Sequence, residues 1–301
     1  MSDSSVLTLV PEDVLRKLER CAIAGRSRIR GTMQGRRRSR ELGSSLEFAD
    51  YRLYAPGDDI RRLDWHAYGR TGKPFIKLFT DEQEMQVHLM IDASASMAFT
   101  ANENVSNKFW HARQLAGAVG YAALCGYDSA DVSIFGASVM SRLPLLRGKG
   151  AASRLFDYLR QAQPERQGDM RKALTHPSVL PRQPGMTWIF SDFLFEDGVE
   201  DTLKTLIAAK QEVVAVQVLS EEEWNPMLAG DLRLLDSETG TAKEVAISRK
   251  VLDVYRETVK QHTHALKRFC RERGIAYELV LSGTPLVDTV VHGFRRSGLL
   301  R

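Results

Sequence analysis

The sequence predicts a doubly wound α/β fold, in which a mainly parallel sheet carries helices on both faces. Two observations predict it. Short, wholly apolar runs such as Val87–Ile91 and Met186–Phe190 have the length and uniformity of strands buried on both sides. Between these runs lie segments of helical period, so strands and helices alternate as in βαβ units. Two additions flank this pattern: a basic, turn-rich N-terminal extension over residues 1–80, and a β-hairpin insertion over about 221–248 in a core domain of residues 81–301.

Each element follows from its residues. Pro11 opens a short amphipathic helix from Val14 to Ile23. An arginine-rich run with Gly31, Gly35 and Gly43 then breaks regular structure, and residues 46–80 read as turns and short strands around Pro56-Gly57 and Gly72-Lys73-Pro74. Val87–Ile91 is the first buried strand. After a loop, Ser106 is placed to cap a helix from about Asn107 to Leu124, with Trp110, Leu115, Ala118, Val119 and Ala122 on one face. Asp131–Phe135 is a strand that forms a hairpin with Ser138–Leu143 across Gly136-Ala137. Ala151–Gln161 is helical, Met186–Phe190 a strand, Thr202–Lys210 a helix and Val213–Leu219 a strand. Leu232–Leu235 and Glu244–Ile247, joined by Ser237-Glu238-Thr239-Gly240, form the inserted hairpin. A long helix from Val251 to Arg273, a strand at Tyr277–Leu281 and a helix at Leu286–Arg295 complete the chain.

Composition narrows the function classes. In 301 residues, 43% are hydrophobic and 27% charged, ordinary values for a globular protein with a large core. The most apolar stretch, Leu115–Leu124, falls far short of the roughly 20 residues of a membrane span. Met1–Val10 lacks the pattern of a signal peptide, so the expected location is the cytoplasm. The three cysteines, Cys21, Cys125 and Cys270, are scattered and lack CxxC or Cys/His neighbours, which argues for reduced thiols and against zinc. His262 and His264, two apart on a helix, diverge and make poor co-ligands.

Charge is uneven. Residues 1–80 hold 16 Lys/Arg against 10 Asp/Glu, and seven arginines fall between Arg26 and Arg40. Such an arm suits nucleic acid, an acidic protein or plain solvation. It has no interleaved aromatics of the kind that stack on bases, so nucleic-acid binding through Arg26–Arg40 is the alternative rather than the leading function.

In open α/β sheets, ligands bind beyond the carboxyl ends of the strands. Asp92-Ala93-Ser94-Ala95-Ser96 follows the first strand, and Ser191-Asp192 follows Met186–Phe190. In an extended Asp-x-Ser-x-Ser loop alternate side chains point the same way, so three oxygen donors can converge. Carboxylate and hydroxyl oxygens suit a hard cation, Mg²⁺ or else Mn²⁺ or Ca²⁺. With so few protein ligands, an acidic residue of a partner would complete the shell. The plain alternative is that Asp92, Ser94 and Ser96 are turn residues capping backbone groups. Enzymatic function is not expected: metal-dependent hydrolysis gathers more carboxylates, and there is no GxxxxGK[ST] loop, no GxSxG elbow and no triad order.

The DASAS segment with Asp192 resembles the metal-ion-dependent adhesion site of von Willebrand factor A domains. The motif Leu46-Glu47-Phe48, Tyr51-Arg52-Leu53-Tyr54, Pro56-Gly57-Asp58-Asp59, Arg61 and Asp64-Trp65 is more specific. It resembles the signature of the bacterial domain of unknown function 58 family, with further likeness at Gly69-Arg70-Thr71 and Leu235–Gly240. The resemblance implies a von Willebrand factor A-like core, no enzymatic activity, and work with a MoxR-type AAA+ ATPase on an unknown client protein. It also implies a threonine ligand from a loop between Leu143 and Arg154. That loop has none here, so Ser153 would substitute, or Arg147 or Lys149 would neutralise the carboxylates directly. Within the 46–65 motif, Arg52, Asp58, Asp59, Arg61 and Asp64 form either an internal clasp that seats this segment on the α/β domain with Trp65 buried, or a partner-docking surface; Pro56-Gly57 has the form of a type II turn.

Overall fold

A computed structural model of the chain describes residues 8–25, 46–81, 84–98, 107–164, 168–177, 179–226, 230–235 and 242–301. The arginine arm, with Arg26–Arg40, and Ser106 lie outside these residues. The described chain forms two compact units, residues 26–84 and the remainder. This division differs from one at residue 80, with units of 1–80 and 81–301. The segment before Gly25 belongs to the α/β unit, because α1 (Glu12–Leu18) buries Val14 and Leu18 in that unit's core. This helix starts after Pro11, as expected, but ends at Leu18. The chain beyond it is drawn into an antiparallel bridge between Ile23 and Leu300.

The smaller unit is a hairpin of β1 (Leu46–Leu53) and β2 (Phe75–Asp81), with α2 (Trp65–Thr71) in the connection. This helix was not expected from the sequence. It is punctuated at both ends: the Asp64 carboxylate accepts the N–H groups of His66 and Ala67, and Gly72 at φ +67° closes it in the left-handed conformation.

The larger unit is built on a six-stranded sheet. Its strands are β3 (Gln86–Asp92), β4 (Ser129–Phe135), β5 (Val139–Arg147), β6 (Gly185–Ser191), β7 (Gln211–Leu219) and β10 (Ala276–Leu281). Their spatial order is β10-β7-β6-β3-β4-β5, all parallel except the edge strand β5, which pairs antiparallel with β4. The inserted hairpin is the separate antiparallel pair β8 (Gly230–Leu235) and β9 (Ala242–Ile247).

Successive strand residues alternate between two cores. Val87, Leu89, Ile91, Trp188 and Phe190 join α1, α4 (Lys108–Cys125) and α5 (Ala152–Gln161) on one face. Met90, Ile189 and Ala215 join α6 (Met170–Leu174), α7 (Val199–Ala208) and α9 (Arg249–Glu272) on the other. Helices thus cover both faces, as the uniformly apolar strands require. Two short helices, α3 (Ala95–Ala98) and α8 (Glu221–Trp224), follow the carboxyl ends of β3 and β7. The expected last helix is a π-helical turn over Asp288–Gly293 leading into α10 (Phe294–Arg296). Among the described residues, no helix is long and apolar enough to cross a membrane.

Candidate functional site

The carboxyl ends of β3, β6 and β7 bring the chemistry together. Asp92 is the last residue of β3 and fully buried. One of its oxygens accepts the Ser94 N–H at 2.9 Å, and the other accepts the Ser191 hydroxyl at 2.6 Å. Ser191 ends β6, and its oxygen accepts the Phe193 N–H at 2.9 Å. The next residue, Asp192, is also buried and accepts the Leu194 N–H at 3.1 Å. Its main-chain carbonyl accepts the Gln217 amide at 2.9 Å, and the Tyr277 hydroxyl fixes that amide from the other side at 2.6 Å. Phe193 adopts φ +54°, and His262 Nε2 lies 2.9 Å from its carbonyl oxygen, which can only accept. The turn that carries Asp192 is therefore held on every side.

The decisive side chain is Lys108, which the sequence reading missed. It is wholly buried, with Nζ 2.8 Å from Asp192 Oδ2 and 2.5 Å from Glu223 Oε1. Lys108 is the first residue of α4, where Asn107 caps the helix by accepting the Trp110 N–H. A cation there opposes the helix dipole, so two carboxylates must outweigh both that and desolvation. Burial lowers the tendency of Lys108 to hold its proton, but Asp192 and Glu223 together raise it above the ordinary lysine value. Glu223 reaches the site from the first turn of α8. Its other oxygen accepts the Ser220 N–H, while Ser220 Oγ accepts the Glu223 N–H, a reciprocal capping box. Among the described residues, Asp92 has no cationic partner of this kind. Burial, and then the negative charge of Asp192, push its carboxyl up to about 7, against the opposing hydrogen bonds from Ser191 and Ser94.

Ser94 and Ser96 lie together, their hydroxyls 3.1 Å apart, with Ser94 buried and Ser96 half-buried. Gly168 closes over this pair: a Cβ there would fall 2.7 Å from Ser94 Cβ and 2.8 Å from the Phe195 ring. The loop bearing on Ser94 is thus the one after α5, not the one after β5.

The expectation for Ser153, Arg147 and Lys149 is corrected. Because β5 runs antiparallel, its end returns to the amino ends of the parallel strands, where Arg147 stands against Ser129 at the start of β4. Lys149 pairs with Glu19 at 2.9 Å, and Ser153 is exposed on α5. The cation of the crevice is Lys108, which pairs with Asp192 and Glu223, while Asp92 accepts the neutral Ser94 N–H and Ser191 hydroxyl.

The fit of a divalent ion is poor for a structural reason. All four oxygens of Asp92 and Asp192 already take protein donors, and one of those donors is an ammonium. No group of three His, Cys, Asp or Glu suited to a metal occurs among the described residues.

In the smaller unit, the motif residues form bonds with one another. Arg52 grips Asp58 through both guanidinium nitrogens at 2.6 and 2.7 Å, and this holds the Asp58 carboxyl down at about 2. Asp58 also accepts the Ala55 N–H across the Pro56-Gly57 turn. Asp59 accepts the Arg61 N–H, and Asp64 accepts the Tyr51 hydroxyl at 2.7 Å and pairs with Lys77 at 3.2 Å. These bonds all lie within the smaller unit, and Trp65, expected to be buried, is not enclosed by them. It is 64% exposed on α2, edge-on to Tyr68.

Residues 50–265 match the family described as protein of unknown function DUF58. The chain belongs to that family. The chain is 29% identical over 265 residues to the uncharacterized proteins Rv1480 of Mycobacterium tuberculosis and Mb1516 of Mycobacterium bovis, covering 86% of this chain and 81% of each relative. Among solved structures it is similar to the conserved hypothetical protein BatB from Bacteroides thetaiotaomicron (13% identity, 71% of this chain and 98% of that one, TM-score 0.42). It is also similar to an aerotolerance-related membrane protein from Bacteroides fragilis (14% identity, 65% and 91%, TM-score 0.43).

Proposed function

We propose that this DUF58 protein is a non-catalytic binding module with a von Willebrand factor A-like core, whose strand-end crevice captures a partner protein. The observation that carries the reading is the saturation of the crevice. Asp92, Asp192 and Glu223 each accept internal donors at both oxygens, which ties them into one structural network beneath the crevice. What remains at the mouth is a recognition surface: half-buried Ser96, exposed Leu194 and the edge of Glu223. The rigid network beneath it presents these groups in one geometry, which lowers the ordering cost of binding. The partner implied by the family resemblance is a MoxR-type AAA+ ATPase acting on a client protein, with the module in the cytoplasm. Capture of an acidic partner through a bound divalent ion is the rival form of the same reading.

The test is capture of a purified MoxR-type AAA+ ATPase by the full chain, with Leu194→Asp and Asp92→Asn as variants. Leu194 is exposed, so its variant keeps the fold, verified by circular dichroism. Both variants are expected to capture less than the wild type at equal Mg²⁺. Undiminished capture by both would remove the crevice from the interaction.

A further inference from the structure

We infer that the resident cation of the strand-end crevice is the Lys108 ammonium and not a divalent metal ion, and that Glu223 supplies from within the chain a second carboxylate for that cation. The inference takes its functional meaning from the binding-module reading above, but its chemistry stands on the geometry alone.

Lys108 Nζ lies between carboxylates delivered by two different strand ends, Asp192 after β6 and Glu223 after β7. The side chain is completely enclosed, with the Asp192 side chain 1% and the Glu223 side chain 14% exposed. A hard dication needs about six or more oxygens at roughly 2.0–2.6 Å, and would have to strip Asp92 and Asp192 of hydrogen bonds they already accept. It would also stand beside a buried ammonium that cannot move into water. The lysine is held on purpose-built partners: Glu223 is locked at both oxygens, one on Lys108 and one on the Ser220 N–H. Ser94 and Ser96, which would donate oxygens to a metal, are instead bonded to each other.

This arrangement changes the chemistry of recognition. An acidic side chain from a partner reaches the ammonium only by displacing Glu223, so capture involves exchange of one carboxylate for another on Lys108 rather than completion of an open metal shell. Asp192, Asp92 and Glu223 against a single lysine leave no positive charge to spare, so an acidic partner that leaves Glu223 in place is repelled.

The experiment uses the purified full chain and Mn²⁺ alone. Electron paramagnetic resonance of Mn²⁺ is expected to show the free-ion signal undiminished at millimolar metal. In parallel, ¹⁵N lysine NMR is expected to show one slowly exchanging Nζ resonance, lost in Lys108→Arg and not broadened by Mn²⁺. One equivalent of Mn²⁺ bound at submillimolar concentration and abolished by Asp92→Asn overturns the inference. So does a Lys108 Nζ signal that exchanges as fast as surface lysines. Metal binding with ATPase capture intact would defeat this inference alone; a metal-free crevice with no capture would defeat the proposed function alone.

Discussion

Replacement of Lys108 by methionine isolates the central ion pair, because methionine keeps most of the stem's volume while removing the charge. The loss can be sized from the structure. Removing one partner of a buried ion pair costs about 3–5 kcal/mol, since the other charge stays enclosed without compensation. Two carboxylates lose their cation here, but they do not suffer equally. The Asp192 side chain is 1% exposed and remains trapped, whereas Glu223, at 14%, lies near the edge of the site and keeps its bond to the Ser220 N–H. The expected cost is therefore about 4 kcal/mol, close to that of a single buried pair rather than twice it. Urea unfolding followed through Trp188, buried in the centre of the sheet, reads the α/β unit directly. At a urea dependence of about 2–3 kcal/mol per molar, the midpoint falls by between 1 and 2 M, on the order of a large core truncation. Adding Asp192→Asn to Lys108→Met removes the stranded charge and should recover roughly half of the loss, a non-additivity expected only of residues in contact. A Lys108→Met loss below about 1 kcal/mol with an unchanged slope would show that the ammonium does not hold the crevice together, and the reasoning about its role would fail.

Two further perturbations test the surroundings of the pair. In the fold the Asp92 carboxyl is raised from 3.8 to about 7, so the unfolded chain releases this proton first, and stability must fall as pH rises from about 4 to about 7. Asp92→Asn removes that slope; the variant gains on the wild type by up to about 4 kcal/mol across the interval, and parallel pH profiles of the unfolding midpoint would refute the assignment. Arg113, half stacked on Phe109 and Trp110, donates to the carbonyls of Leu159, Arg160 and Ala162 where α5 ends and the loop toward Gly168 begins. Arg113→Met should cost about 2–3 kcal/mol and speed amide exchange at the end of α5; a loss within 0.5 kcal/mol, roughly the effect of a neutral surface change, would mean those carbonyls find other donors.

Much of the fold was legible because burial on both faces imposes a simple sequence signature. A strand that faces helices above and below admits no polar alternation, so Val87–Ile91 and Met186–Phe190 announce themselves. Strand limits were less legible where polar residues are recruited by distant partners. Gln211 begins β7 because its amide bonds the Gln183 and Ala209 carbonyls and its oxygen accepts the Thr187 hydroxyl, none of them visible from local pattern. The helix α2 was missed because seven residues containing Gly69 are too short for a hydrophobic period. Its signals were Asp64 before it and Gly72 after it, a cap and a stop that were read instead as a charged clasp and a turn.

The site divides along the same line. Asp92, Ser94, Ser96 and Asp192 were found by the rule that ligands gather beyond strand ends, and the structure does bring Ser94 to Ser96 and Asp92 to the residue preceding Asp192. Extending that rule to Val213–Leu219 would have reached Ser220 and Glu223, whose Ser-x-x-Glu spacing is a capping box that also aims a carboxylate at the crevice. Lys108 carried a signal of a different kind. Lysine at the first position of a long helix is electrostatically misplaced, and a residue that violates a local rule usually answers a demand made elsewhere. The resemblance points instead to Arg147 and Lys149, because it looks for a ligand in the loop between Leu143 and Arg154. The antiparallel hairpin of Asp131–Phe135 with Ser138–Leu143 carries whatever follows it to the far end of the sheet, away from that crevice. The charge balance of the crevice was thus predictable in kind, buried carboxylates requiring a cation, while the residue that supplies it is chosen by partners 84 and 115 positions away, Asp192 and Glu223.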